Sequence, residues 1–392
     1  MDKRLFLLAL GAFATSTVAF VFAGLLPLIA EDVGVTVAQA GYLVSAFSLA
    51  YAIGTPVLST LTGAMDRRRV IALALVFFVA GNLAAALSGR VPTLLAAQIV
   101  MGMAAGLFAA TAQATAVFLA GPDRRAAAIA VVVGGTTFAV ALGAPAGSLL
   151  AHLLGWRGTF GALALVAAFC LAALWLRLPR DLAAAPSTLA ERLLVVRRPG
   201  VLPAVLVTFL YLSGAFVIIS YLGPIATEGA GLPHGILPAM LLAFGAGAIA
   251  GNYASGRLAD RLGARRVVVF SMFCAIAFSA TFALVTKFVP DAAAGPLVVG
   301  LMVPWGVVGW TFPPAQASRL VASAPDVAHL TLALNASAIY FGIGFGTFIG
   351  GRVLEFGDAT DLGLVAAVFP LIALVVLAAS RQRTGRTAAV RA

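Results

Sequence analysis

The side chains of this chain that could carry a proton are few, and their positions are restricted. Fourteen Asp and Glu residues and three His residues are present, and all of them lie between long apolar runs or at the ends of those runs. Because a proton carrier inside a membrane is usually a buried ionisable group, the candidates here are confined to run ends: Glu31, Asp32, Glu228, Asp326, His152, His234 and His329. The alternative is that each of them is an ordinary solvated loop residue.

A second set of side chains could contact a solute, because these polar and aromatic groups lie inside the apolar runs. A buried amide needs a hydrogen-bond partner, and a ring offers a flat apolar surface. Since none of the set is charged, it favours a neutral or weakly polar solute. The predicted cavity lining is Thr17, Phe20, Ser45, Phe47, Tyr51, Gln98, Gln113, Tyr211, Asn252, Trp305, Trp310, Asn335 and Tyr340. The alternatives are that the amides only join helices by hydrogen bonds and that the rings pack or face lipid.

The elements that must position these residues are about twelve apolar runs. The chain is 62% hydrophobic and 10% charged, and its mean hydropathy is +1.07, which is too apolar for a water-soluble protein of 392 residues. Each run is about as long as a helix needs to cross a bilayer. We therefore predict an all-α membrane protein with spans at 5–30, 39–63, 70–89, 91–118, 127–152, 158–178, 201–222, 235–257, 266–287, 294–318, 327–352 and 362–380.

The basic residues alternate between the loops, and this pattern predicts the orientation of the chain. Of 25 Lys and Arg residues, only Arg90, Arg157, Lys287 and Arg352 fall in the gaps that would lie outside. Positive loops stay in the cytoplasm, so both termini are predicted to be cytoplasmic, in a bacterial inner membrane. The net charge of +11 is dispersed over many loops, which favours contact with membrane lipids and excludes a nucleic-acid partner.

The chain divides into two similar halves, each with six spans. The predicted division is residues 1–178, a cytoplasmic linker at 179–200, and residues 201–392 with a short basic tail. A capping box at Thr188 and Glu191 predicts a short surface helix in the linker. An offset of 197 residues aligns Ala46-Phe47 with Ala243-Phe244, Gly54 with Gly251, and Arg68-Arg69-Val70 with Arg265-Arg266-Val267. A parallel repeat of this kind is typical of a transporter whose site lies between the halves and opens to each side in turn.

Four motifs resemble those of the major facilitator superfamily. They are the loop signature Gly256-Arg257-Leu258-Ala259-Asp260-Arg261-Leu262-Gly263-Ala264-Arg265-Arg266, the antiporter-like Gly143-Ala144-Pro145-Ala146-Gly147, Gly24-Leu25-Leu26-Pro27, and Gly155-Trp156-Arg157. The last two are similar to the drug and arabinose efflux permease branch. The resemblance implies the major facilitator fold, a small-molecule substrate, alternating access and efflux.

Two departures from the family pattern bear on proton coupling. The branch often has an arginine where this chain has Gln98 and a glutamate where it has Ala19, and the family commonly ties those charges to protons. Their absence counts against proton antiport. The sequence therefore leaves open a facilitator and a transporter coupled through a group at a helix end.

The resemblance also implies gating roles. Asp260 would accept from helix N-terminal amides or pair with Arg261 or Arg265, and so latch helices on the cytoplasmic side, with Gly256 and Gly263 in the same motif. In the first copy Ser59 faces Gly256 and Gly63 faces Asp260, so the acidic position is missing there, although Asp66 lies nearby and the bases Arg67, Arg68 and Arg69 remain. The alternative is that these arginines only fix topology. Gly143 and Gly147 predict close helix packing, and Pro145 predicts a bend.

The best-supported function is a secondary transporter that exports a small organic solute such as a drug, a sugar or a metabolite. An importer or uncoupled facilitator is the alternative within transport, and a receptor-like membrane binding protein is the alternative of another class. The sequence has no His/Asp/Glu cluster at membrane depth, no metal-ligand spacing, no cofactor motif and no phosphate-binding loop, so it does not favour an enzyme or an ATP-driven pump. A pseudo-symmetric bundle of this size needs no partner subunit, and we predict a monomer.

Overall fold

A computed structural model describes residues 2–120, 124–180, 182, 190 and 194–389, and its regular elements in that part of the chain are all helices. In the first half the helices are Lys3–Val33 (span 1), Val37–Leu61 (span 2), Arg67–Leu87 (span 3), Val91–Ala120 (span 4), Arg125–Phe138 continued by the π-helical turn Ala139–Gly143, and Ala144–Arg177. In the second half they are Val201–Ile219 (span 7), the short Leu222–Thr227, Leu237–Leu262 (span 8), Ala264–Phe288 (span 9), Asp291–Ser323 (span 10), Ala328–Phe356 (span 11) and Leu362–Ala389 (span 12).

Eleven of the described helices are long and apolar enough to cross a membrane, and one of them, Ala127–Arg177, has the length of two crossings. Gly155 divides it, because its backbone is non-helical with φ 74° and ψ 161°. Glycine tolerates a positive φ that side chains disfavour. We therefore call the stretch before Gly155 span 5 and the stretch after it span 6, which gives the twelve crossings of an all-helical membrane fold.

Short polar residues begin the helices where the apolar runs would otherwise start without a cap. Asp2 accepts from the backbone N–H of Arg4 ahead of span 1, and Asp66 does the same for Arg68 ahead of span 3. Thr36 and Gln39 form a reciprocal capping box at span 2. Capping satisfies N–H groups that have no partner inside the helix, so these local signals determine where the spans begin.

Large apolar side chains are exposed along many spans. The exposed fraction is 86% for Leu87, 78% for Phe356 and 74% for Leu165. In water such surface would be costly, whereas in a bilayer it contacts lipid. The prediction of a multi-pass membrane protein thus accounts for this surface.

The chain forms two compact units. The first comprises Met1–Leu189 with Pro233–Gly245, and the second comprises Ala190–Leu232 with Ala246–Ala392. Within the first unit span 1 packs on spans 5 and 6, and span 3 packs on spans 4 and 6. Within the second unit span 7 packs on spans 11 and 12, and span 9 packs on spans 10 and 12. The same pairings recur in order, although the residue boundaries proposed from sequence for the two halves and the linker remain predictions.

Glycines mark where paired helices touch. A Cβ on Gly54 would lie 3.0 Å from the Cα of Met103 in span 4, and a Cβ on Gly251 would lie 3.0 Å from the Cα of Val307 in span 10. Gly54 and Gly251 are equivalent at the 197-residue offset. Spans 2 and 8 therefore use the same position of the repeat to approach their partners closely.

The linker is described only in part. The surface helix predicted from Thr188 and Glu191 lies outside the described residues. After it, a short 3₁₀ turn at Val195–Arg197 leads into span 7. Val195 packs there with Val201 and Ala324 in a small apolar cluster.

Candidate functional site

The thirteen predicted lining residues divide between the two units. Seven lie in the first unit and six in the second. The buried members are Thr17, Phe20, Ser45, Phe47, Tyr51, Gln98, Tyr211, Trp305, Asn335 and Tyr340; Asn252 and Trp310 are half-buried, and Gln113 is exposed. Their role in binding remains a prediction, but their local environments differ sharply.

Gln98 is the most unusual of these side chains. Its exposed fraction is 0%, and neither its Oε1 nor its Nε2 has a hydrogen-bond partner. Burying an amide without partners costs about 1–3 kcal/mol. Span 4 therefore presents, inside the first unit, one acceptor and one donor that the protein itself does not use.

Asn335 has the opposite environment. Its Oδ1 accepts from the hydroxyl of Thr208 at 2.7 Å, and that hydroxyl in turn accepts from Nε2 of Gln316 at 3.1 Å. Nε2 of Gln316 also donates to the carbonyl of Ala204 at 2.6 Å. The amide of Asn335 thus joins spans 7, 10 and 11. This corresponds to the alternative stated above, in which an amide within a span joins helices by hydrogen bonds.

Gln316 was not among the predicted residues, although it is fully buried. The run predicted for span 10 ends at residue 318, whereas the helix continues to Ser323. The predicted boundary therefore places Gln316 at a helix end. A predicted span 10 that extended to Ser323 would have placed Gln316 inside the helix, among the other buried amides.

Span 10 lacks two backbone hydrogen bonds beyond its middle, where two prolines are adjacent. Pro313 and Pro314 have no N–H to donate to the carbonyls of Gly309 and Trp310, four residues earlier. The ring of Tyr211 stacks on Phe312 with centroids 3.8 Å apart and planes 8° apart. Its hydroxyl donates to the carbonyl of Gly309 at 3.5 Å. This long hydrogen bond supplies a donor to one of the two carbonyls that the prolines leave without a helical N–H.

The antiporter-like motif distorts span 5 and packs it on span 1. The N–H of Ala144 donates to the carbonyl of Ala139, five residues back, in the π-helical turn just before Pro145. A Cβ on Gly143 would lie 3.2 Å from the Cβ of Thr17. Thr17 also donates to the carbonyl of Phe13 at 2.7 Å within its own helix, so its hydroxyl is already satisfied.

Gly147 continues the contact between spans 5 and 1. A Cβ on it would lie 3.5 Å from the Cβ of Val21 and 3.3 Å from the Cγ2 of Thr159. One turn further along span 1, a Cβ on Gly24 would lie 2.5 Å from the Cβ of Ser148. Small residues on both helices therefore allow the distorted part of span 5 to lie against the middle of span 1.

The two copies of the loop signature differ. In the first, Arg67 donates to the carbonyl of Ala114 at 2.9 Å, and the guanidinium of Arg68 lies 4.4 Å from the centre of the Trp175 ring. Arg67 and Arg68 thus connect span 3 to spans 4 and 6, while Arg69 is exposed.

In the second copy, Asp260, Arg261 and Arg265 are exposed, and no ion pair within 4 Å joins Asp260 to either arginine. Gly256 has open space around it, and Gly263 has φ 86° between spans 8 and 9. The expected pairing of Asp260 is therefore absent from the described conformation. A latch at this loop remains a prediction.

Among the predicted proton carriers, two acids are already paired. Asp32 contacts Arg157 at 2.6 Å, and Asp326 contacts Arg198 at 2.7 Å. Glu31, Glu228 and His152 are exposed, and the side chains of His234 and His329 lie outside the described part of the structure.

Arg157 connects three span ends of the first unit. Besides Asp32 at the end of span 1, it donates to the carbonyl of Ser88 after span 3 at 3.0 Å, and it lies 4.2 Å from the centre of the Trp156 ring. In the second unit Lys287 at the end of span 9 contacts Asp361 before span 12 at 2.5 Å. Three of the four bases predicted to lie outside are thus held by acids, since Arg352 pairs with Glu355.

Replacing Arg157 with Gln is expected to lower the free energy of unfolding by about 1 kcal/mol. The ion pair with Asp32 is solvent-exposed and contributes little, and the lost hydrogen bond to Ser88 adds a comparable amount. Thermal unfolding of the purified protein measures the change. A double-mutant cycle with Asp32→Asn should give a coupling energy below about 1 kcal/mol; a coupling several times larger would contradict this account.

Comparison with known proteins identifies similar sequences over nearly the whole chain. The sequence model described as "Major Facilitator Superfamily" matches residues 8–347. An uncharacterized MFS-type transporter of Bacillus subtilis, YbcL, is 32% identical over 372 residues, covering 95% of this chain and 94% of that protein. The chloramphenicol resistance protein of Streptomyces lividans is 33% identical over 385 residues, covering 95% and 96%. The inner membrane transport protein YdhP of Escherichia coli is 28% identical over 392 residues, covering 100% and 99%.

Solved structures share the fold at low sequence identity. A D-xylose–proton symporter superposes with a TM-score of 0.75 at 17% identity, covering 95% of this chain and 96% of that one. The human organic anion transporter MFSD10 superposes with a TM-score of 0.71 at 17% identity, covering 96% and 100%. These two similarities concern the fold alone.

Proposed function

Because this chain belongs to the major facilitator superfamily, we propose that it exports a small neutral or weakly polar organic solute by alternating access. The chain is a multi-pass membrane transporter rather than an enzyme. The solute class, the outward direction and the bacterial inner membrane with both termini in the cytoplasm are part of the proposal.

The observation that carries the solute class is the buried amide of Gln98. Its unused donor and acceptor match the hydroxyl, amide or carbonyl groups of a neutral solute. A charged group would lose its hydration at such a position without an opposite charge from Gln98.

Export is supported by the relative named for chloramphenicol resistance. A transporter confers resistance by lowering the drug concentration inside the cell. Chloramphenicol is a neutral aromatic compound with hydroxyl and amide groups, so it belongs to the solute class that Gln98 favours. It is therefore the first substrate to test.

A thermal-shift screen followed by transport in proteoliposomes tests the proposal. Neutral solutes should raise the unfolding temperature by mass action, and the same solutes should show saturable counterflow. Cells expressing the protein should accumulate less chloramphenicol than cells carrying an empty vector. Binding without counterflow would favour a receptor-like protein, and stabilisation by charged solutes alone would contradict the solute class.

Uncoupled transport is the second candidate, because the acids of the described residues lie at helix ends or between spans, whereas a proton carrier inside a membrane is usually a buried ionisable group. If the protein is uncoupled, an imposed pH step will not drive accumulation in proteoliposomes. If a pH step does drive accumulation, alanine at Glu31, Asp32, Glu228 and Asp326 in turn will test coupling through a helix-end acid.

A further inference from the structure

Arg319 is a half-buried cation near the end of span 10 whose position is fixed by a hydrogen-bond network. Its Nη1 donates to Oε1 of Gln316 at 2.8 Å. Because Nε2 of Gln316 is held by Ala204 and Thr208 in span 7, the amide cannot turn its oxygen away. Buried groups of spans 7 and 10 thus fix the orientation of the Arg319 guanidinium. Most of its five N–H donors remain available to other partners.

No acid of the described residues neutralises this cation. The ion pairs of the second unit join Arg198 to Asp326, Lys287 to Asp361 and Arg352 to Glu355, and none includes Arg319. Arg265, in the first turn of span 9, supplies a second positive charge at the same end of this helix pair. The hydroxyls of Ser271 in span 9 and Thr311 in span 10 lie 2.7 Å apart. Because the two helices are consecutive and antiparallel, Arg265, six residues before Ser271, and Arg319, eight residues after Thr311, lie at a similar depth. Spans 9 and 10 pack directly against each other, so both cations lie at one junction of two helix ends.

The helix end itself offsets only part of this charge. Arg319 lies about one turn before the end of span 10, where the helix dipole supplies roughly half a negative charge. Two guanidinium groups leave an excess of more than one positive charge. A partly desolvated arginine without a counter-ion is costly near a membrane, and a phosphate group satisfies two arginines at once because its oxygens accept forked hydrogen bonds.

We propose that Arg319 and Arg265 form a binding site for a phosphate group at the cytoplasmic ends of spans 9 and 10. The shared chemistry is an anionic phosphate, supplied either by an anionic lipid headgroup of the inner leaflet or by a phosphate compound in solution. Gln316 is the positioning residue, because it orients Arg319 without contacting the anion. The site is independent of the transported solute and of the direction of transport.

Thermal unfolding of the purified full-length protein tests the site, with additions that separate the two sources. One arm adds phosphatidylglycerol, with phosphatidylcholine as the zwitterionic control. The other arm adds inorganic phosphate, with chloride at equal ionic strength as its control. Stabilisation by phosphatidylglycerol alone assigns the site to lipid, and stabilisation by inorganic phosphate assigns it to soluble compounds; either result supports the site.

Three variants decide whether the effect belongs to these arginines. Arg319→Gln should weaken the binding of the stabilising anion by about tenfold or more, since charged hydrogen bonds are lost, and Arg265→Gln should weaken it as well. Arg266→Gln removes an exposed charge next in sequence and should leave the response unchanged. If Arg319→Gln fails to fold, Arg265→Gln against Arg266→Gln remains the comparison. An equal response in all foldable variants, or no response of the wild type to either anion, would overturn the proposal.

Discussion

Replacing Gly102 with Ala is expected to lower the free energy of unfolding by about 2–3 kcal/mol. A Cβ at this position would lie 3.0 Å from the carbonyl carbon of Phe47 and 3.1 Å from the Cβ of Ala50, both in span 2, and closer still to the carbonyl oxygen of Phe47. Because backbone cannot move aside as a side chain can, spans 2 and 4 must separate and lose contact along their length. Overpacking of this kind costs about 1–3 kcal/mol.

Gly300→Ala is the matched control for this prediction. Gly300 lies inside span 10, and no atom lies within 4 Å of the Cβ that it would gain. Alanine there should raise the stability by up to about 1 kcal/mol, because it restricts the unfolded chain and has the higher helix propensity. Thermal or denaturant unfolding in detergent measures both variants. Equal unfolding temperatures for Gly102→Ala and Gly300→Ala would contradict the close approach of spans 2 and 4 at Gly102.

Replacing Gln98 with Leu is expected to separate stability from transport. The variant removes two buried polar atoms that have no partner, so the free energy of unfolding should rise by about 1–3 kcal/mol. Transport of a neutral solute should fall about tenfold or more, because a solute hydrogen bond in a buried site is lost. Unfolding in detergent and initial rates in proteoliposomes measure the two effects on one preparation.

Replacing Gln316 with Leu should lower the stability, whereas replacing Gln98 with Leu should raise it. Gln316→Leu removes the donor to Ala204 and Thr208 and the acceptor of Arg319. The broken network leaves buried polar groups unpaired, and the free energy of unfolding should fall by about 2–3 kcal/mol. If Gln98→Leu and Gln316→Leu shifted the stability in the same direction, the assignment of an unused amide to Gln98 would be wrong.

The second unit shows how far sequence reasoning reached for the site. The sequence predicts Asn335 in the cavity lining because a buried amide needs a partner, and its hydrogen bond to Thr208 corresponds to the alternative, in which the amide joins helices. The sequence could not name that partner, which is 127 residues earlier, nor could it identify Gln316 while span 10 was predicted to end too soon. The motif has both charges and predicts that Asp260 pairs with a neighbouring arginine. An exposed ion pair gains little free energy from contact, and Asp260 forms no such ion pair in the described conformation.

The sequence by itself determined the number of spans and their approximate positions, because a backbone in lipid must satisfy its own hydrogen bonds and a helix needs about 20 apolar residues to do so across a bilayer. It also determined the family and the repeat, since motifs and equivalent glycines are local in the chain. Only the tertiary structure decided which amide is used and which is free, and which acid Arg157 and Lys287 contact. Hydrogen bonds and ion pairs act over about 3 Å, so they depend on which distant residues the helix packing brings together, and composition and spacing along one helix do not specify that.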